Sequence, residues 1–143
     1  MTLAEALERY PGAETYTFGD SAFLCAQLLA RVRSGLKTAT CGALRDFVDG
    51  GEPWPKVGRC DISLNWDGTP ALVTRTVDLT QKRFCDVDAD FALAEGENDT
   101  LVGWRQDHEA YFGRTGGFHP EMMLLCERFE LVQDLATDKA RDR

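Results

Sequence analysis

Between Asp20 and Gly35 the positions Phe23, Leu24, Gln27, Leu28, Arg31 and Val32 recur at the three- and four-residue steps of an amphipathic helix. Asp20 or Ser21 supplies its N-cap and Gly35 its stop. Weaker helical patterns predict a short helix over 2–9, capped by Thr2 and ended at Pro11-Gly12, and another over 43–51 that runs into glycines. One or two helical turns are expected over 86–94. A further helix runs from Asn98 or Asp99 to about Phe112, with Leu101, Trp104, His108 and Tyr111 on one face. The period then drops to two over 59–66, where Cys60, Ile62, Leu64 and Trp66 alternate with polar residues as in a half-buried strand. Asp67-Gly68 signals a hairpin turn into the β-branched run 70–79, and the apolar stretch 122–132 reads as a buried final strand. These elements predict one α+β domain over residues 1–136: a central antiparallel sheet or small barrel flanked by helices, with an N-terminal helical extension. Residues 137–143, TDKARDR, read as a frayed tail.

Composition narrows the class of partner. With 143 residues, 43% of them hydrophobic, the chain can build a single sizeable core. No apolar run approaches the roughly 18 residues of a membrane span, and the acidic start MTLAEALERY lacks the layout of a secretory signal. The five cysteines, Cys25, Cys41, Cys60, Cys85 and Cys126, are scattered and odd in number, which suits reduced thiols in a cytoplasm. No CxxC, HExxH, EF-hand, P-loop, GxGxxG or GxSxG pattern occurs, so no metal or cofactor is expected. The net charge of −8 opposes long nucleic acids, whose binding rests on phosphate neutralisation, and fits a small, weakly charged ligand more easily. Nothing in the pattern fixes an oligomeric state.

Two segments carry candidate chemistry. In SGLKTAT, 34–40, Lys37 follows a helix exit, where the helix dipole alone favours a cation. The alternative is a base, which needs burial to suppress the charge of the amine. Thr38 and Thr40 suit a strand, but a hydroxyl with a base in reach becomes a nucleophile. In a flat strand positions 37 and 40 point to opposite faces, so a Lys37–Thr40 pair requires the backbone to bend here. In AEGENDTLVGW, 94–104, Glu95 and Glu97 precede a helix and suit its dipole; the functional alternative is a carboxylate that shuttles protons or orients the lysine. His108 reads as a packed, hydrogen-bonded histidine and His119 as an exposed one. Trp54 and Trp66 are candidate stacking platforms for a base, with core packing the stronger expectation for Trp66.

Taken in order, the helix, GLKTAT, the VG before a strand, FALAEGENDTL…W…H…YF and the final CERFELV resemble the ASCH domain over about residues 18–133. The resemblance implies a PUA-like fold, a small β-barrel with helices at its rim and a cleft suited to RNA or a nucleoside. A short bacterial branch of that family hydrolyses N4-acetylcytidine with a Lys and a Thr three apart in KTxT and a Glu in AExEN. The matching residues are Lys37, Thr40 and Glu97. By this resemblance Lys37 is the base, Thr40 the nucleophile and Glu97 the orienter or proton shuttle. By residue type, Thr38, Trp54 and Arg75 are the expected substrate contacts. Other members of about this length bind or cleave RNA, and this chain shares their longer body, including the loop around Trp54 and the TLVGWRQDHEAYF helix.

Three functions follow as expectations. The first is an amidohydrolase acting on an acylated nucleoside. The second is a domain that binds or cleaves single-stranded RNA through a patch drawn from Arg31, Arg33, Arg45, Arg59, Arg75, Lys82, Arg83 and Arg105. The third is a non-enzymatic module with a vestigial pocket.

Overall fold

The computed structural model describes residues 1–136; the expected tail, 137–143, lies outside the described residues. Helix α1, Leu3–Arg9, opens with a full capping box, in which the Thr2 side chain accepts from the Glu5 amide and the Glu5 carboxylate accepts from the Thr2 amide. Strand β1, Thr15–Tyr16, follows, then helix α2, Ala22–Arg33, capped by Ser21. Strand β2, Ala39–Ala43, leads into helix α3, Leu44–Val48. The hairpin of β3, Cys60–Leu64, and β4, Pro70–Arg83, turns at Gly68, whose φ of 90° needs a residue without a Cβ. A 3₁₀ turn over Phe84–Asp86 precedes helix α4, Ala89–Ala94; helix α5, Leu101–Arg114, and strand β5, Met123–Asp134, complete the order.

The five strands form one mixed sheet in the order β1-β3-β4-β5-β2. Among the described residues only the β1–β3 pair is parallel; the rest are antiparallel. The sheet is open rather than closed into a barrel, since β1 and β2 end it as separate edges. Strand β4 runs past the expected 70–79 to Arg83, because its polar end pairs residue by residue with the start of β5, from Thr80 opposite Cys126 to Arg83 opposite Met123. Three apolar clusters hold the layers together. Phe84, Phe91, Trp104, Phe112 and Leu124 join α4 and α5 to the sheet. Leu28, Leu29 and Val32 of α2 meet Phe18, Leu72 and Phe129. Ala6 of α1 meets Ile62 and Val73.

One sequence expectation about packing is corrected. Trp66 lies beyond the end of β3 and is 53% exposed, because the strand stops at Leu64 before the turn. It borders the cleft described next.

Candidate functional site

Helix α2 ends on Gly35, whose φ of 82° turns the chain back so that the amides of Leu36 and Lys37 both donate to the Arg31 carbonyl. Beyond this hooked exit residues 38–43 run extended beside β5, so the bend lies ahead of Lys37 and not between Lys37 and Thr40. It directs Lys37 inward, leaving it 2% exposed, while Thr38 on the next position stays exposed. The neighbouring wall is the loop after α4. Gly96, with φ of 73°, runs so close to residues 36–37 that a Cβ placed on it would lie 2.2 Å from the Leu36 oxygen. Only glycine allows that approach, and the approach joins two segments 60 residues apart. The contact is stitched by the Thr38 amide donating to the Ala94 carbonyl at 2.8 Å and by Arg31 Nη1 donating to the Gly96 carbonyl at 2.7 Å.

Lys37 Nζ donates to Glu97 Oε2 at 3.1 Å and to the Glu95 carbonyl at 3.3 Å, and it lies 4.0 Å from Glu95 Oε1. Glu95 is 1% exposed. Its Oε2 accepts from Trp104 Nε1 and from His108 Nε2, the latter at 2.9 Å. His108 stacks on Trp104 with ring centroids 4.3 Å apart, and its Nδ1 lies 2.9 Å from the Trp104 carbonyl. Burial pushes the Glu95 carboxyl up, but the Lys37 ammonium and the His108 ring pull harder, and the carboxyl is held below its ordinary range. For His108, burial pulls down and the hydrogen bond to Glu95 pushes up; the ring ends above its ordinary value. Glu95 is therefore a buried carboxylate that anchors both the lysine and the histidine. The sequence offers both Glu95 and Glu97 as the carboxylate beside the lysine, and the motif match alone singles out Glu97; both reach Lys37, but only Glu95 also holds His108. The signal for Glu95 was present as a tryptophan and a histidine one helical turn apart, following a carboxylate that both can reach.

Cys41, Glu95 and His108 also bring donor atoms within 4.8 Å of one another, the donor types of a small metal site. Here they are engaged with each other. Burial holds the Cys41 thiol well above its ordinary value, and the Lys37 ammonium beside Glu95 opposes a further cation.

Lys37, Thr40, Glu95, Glu97 and His108 all line one cleft of about 1070 Å³, bordered on its outer rim by Glu52, Pro53, Pro55 and Trp66. The lining carries eight acidic side chains against four lysines and arginines, so a polyphosphate backbone meets net repulsion there. The three expected substrate contacts stand elsewhere. Thr38 donates to the Ala94 carbonyl outside the cleft lining. Trp54 packs its ring on Phe47 with centroids 5.6 Å apart. Arg75 lies on the outer surface, paired with Glu130. The expected basic patch is likewise dispersed into local pairs: Arg33 with Asp134, Arg59 with Asp61, Lys82 with Asp88 and Arg83 with Asp86.

The floor of the cleft is a sheet face with unusual polarity. Asp61, Thr74 and Thr76 are buried, and Thr40 stands directly opposite Glu127 in the β2–β5 register, so the two side chains share a face. Thr76 Oγ1 donates to Glu127 Oε2 at 2.7 Å, the Tyr16 hydroxyl lies 2.7 Å from Thr74 Oγ1, and Arg59 grips Asp61 with two hydrogen bonds of 2.8 and 3.1 Å. A sheet face turned inward normally carries apolar residues; here the polar groups satisfy one another, which fixes their positions on the cleft floor.

Comparison with known proteins agrees with this architecture. The chain resembles the crystal structure of an ASCH domain from Lactobacillus crispatus JV V101, with a TM-score of 0.77 and 27% identity, covering 89% of this chain and 84% of that one. It also resembles protein EF3133 from Enterococcus faecalis V583, with a TM-score of 0.82 and 30% identity over 96% of this chain and 89% of that one. No curated protein matches it. The ASCH domain family model matches residues 14–133, and the chain belongs to the ASCH domain family.

Proposed function

We propose that this ASCH domain is an amidohydrolase that removes an acyl group from the exocyclic nitrogen of an N4-acylcytidine-type nucleoside. The observation that carries the reading is the buried Lys37 amine, hydrogen-bonded to Glu97 at 3.1 Å in the same cleft as Thr40. Thr40 Oγ1 attacks the amide carbonyl as its proton passes to Lys37, which has yielded one to Glu97 along their hydrogen bond. The tetrahedral intermediate collapses when the pair returns a proton to the leaving nitrogen, so the C–N bond breaks and an acyl-threonine ester remains. Water, deprotonated by the same pair, then attacks the ester carbonyl; the bond to Thr40 Oγ1 breaks, the pair returns the proton to that oxygen, and the acid leaves. Glu95 takes no proton in this scheme. Fixed by Trp104 and His108, it is a positioning residue that holds Lys37 on the cleft wall.

The acidic lining supports a small, uncharged substrate over a polynucleotide. The exposed ring of Trp66 at the rim offers a stacking surface for a base. Incubation of the purified protein with N4-acylated cytidines, beside a short single-stranded RNA, tests the reading. Lys37→Arg, which keeps a charge but cannot release a proton, should lower hydrolysis by on the order of 10²–10⁴. Thr40→Ser should retain part of the rate and Thr40→Val none. Near-normal turnover by Lys37→Arg would remove the base. Salt-sensitive RNA binding with no nucleoside turnover would favour the RNA-binding alternative.

A further inference from the structure

The acyl-transfer scheme leaves Glu127 without a task, although it lies beside the proposed nucleophile. It shares a sheet face with Thr40, it lines the cleft, and Thr76 fixes its Oε2. Among the described residues no side chain or amide donates to its Oε1. Four ionisable groups surround it. Asp61 and Arg59 from the β3 side are tied to each other, Lys37 before β2 is tied to Glu97, and Tyr16 of β1 contributes a neutral phenol. With the nearby cations already committed, burial and Asp61 keep the Glu127 carboxyl above its ordinary range.

We propose that Glu127 reads the substrate base: its Oε1 hydroxyl donates to the ring nitrogen of a cytosine-type edge, while Oε2 accepts the adjacent exocyclic N–H. A neutral carboxyl offers one donor and one acceptor side by side. The N3 acceptor and N4–H donor of an N4-acylated cytosine match that pair. An ionised carboxylate would set its lone pairs against N3. Because Glu127 adjoins Thr40, the same contact places the acylated nitrogen next to the nucleophile. The inference rests on the nucleoside reading above but concerns recognition, which is measurable without turnover.

The test compares binding of cytidine and of 3-deazacytidine, which lacks the N3 acceptor, by calorimetry or by protein chemical shifts. Wild-type protein should bind the deaza analogue about tenfold more weakly, as expected for one buried hydrogen bond. In Glu127→Ala that difference should vanish, and in Glu127→Gln, a neutral donor and acceptor of the same shape, it should persist. With rising pH the wild-type preference for cytidine should fade as Glu127 ionises, while Glu127→Gln keeps it. This pH arm decides the matter even if the alanine variant fails to fold. An equal penalty in wild type and Glu127→Ala, a pH-independent preference in wild type, or no binding of cytidine at all would overturn the proposal. Turnover of N4-acylcytidine without the Glu127 pattern removes the base reader and leaves the hydrolase. The pattern without turnover removes the hydrolase and leaves the base reader.

Discussion

Two carboxyls face the same cleft and fare oppositely. Glu95 on the wall is the more deeply buried, yet it is held as a carboxylate because Lys37, His108 and Trp104 all turn toward it. Glu127 on the floor is less buried, yet burial and the nearby Asp61 raise its carboxyl, because among the described residues the cations around it serve other partners and one threonine hydroxyl donates to it. Depth alone does not decide the charge of a buried acid; the allegiance of the surrounding donors does. Two acids whose environments drive them apart can take two roles in one site, one as a fixed charge and the other as a donor.

Replacing each acid by its amide should break this comparison most sharply. Glu95→Gln removes the buried charge that Trp104 and His108 hold and leaves Lys37 with Glu97 as its remaining carboxylate, so urea denaturation should register a loss of about 1.5–3 kcal/mol. Glu127→Gln exchanges one neutral group for another and should leave stability nearly unchanged at low pH, with a gain at higher pH where the wild-type carboxyl is forced to ionise. Equal losses in the two variants would show that the charge states are the same.

The pH dependence of stability should resolve the wall contact next. Glu95 is lowered from 4.5, so its contribution is present above that value and is lost as pH falls through the folded pKa. His108 is raised from 6.5, so its contribution is complete below that value and disappears as pH climbs through the folded pKa. The Glu95–His108 contact should therefore stabilise most between about 4.5 and 6.5. A ring titration of His108 by NMR should fall above 6.5 in wild type and return toward it in Glu95→Gln. The smallest effect belongs to Arg75→Ala. Its exposed pair with Glu130 should contribute nothing that a denaturation curve detects, and hydrolysis should be untouched because the residue lies outside the cleft.

The elements legible in the sequence are those whose burial pattern is local. Helix α2 and the β3–β4 hairpin follow from their own periodicity. Strand β2 does not, because Ala39-Thr40-Cys41-Gly42-Ala43 has no large apolar alternation and becomes a strand only by pairing with β5. Lys37, Thr40 and Glu97 were found by their motifs, and the structure gathers them in one cleft. Glu95, Asp61 and Glu127 were not singled out for their burial, because an acidic residue on an alternating strand or before a helix reads as solvent-facing. Its true setting depends on which distant donors fold over it. Thr38, Trp54 and Arg75 were assigned by type alone, and side-chain direction carried them away from the cleft.

The close pass of Gly96 over residues 36–37 also shapes how this protein can diversify. An inserted residue on either side of that crossing would separate Lys37 from both of its carboxylates at once, so these segments tolerate almost no change in length. The loop between α3 and β3 borders the same cleft through Glu52, Pro53 and Pro55, yet its Gly51 and Gly58 have open space around them. That rim can therefore be lengthened or recomposed without disturbing the glycine crossing that holds Lys37 beside its carboxylates.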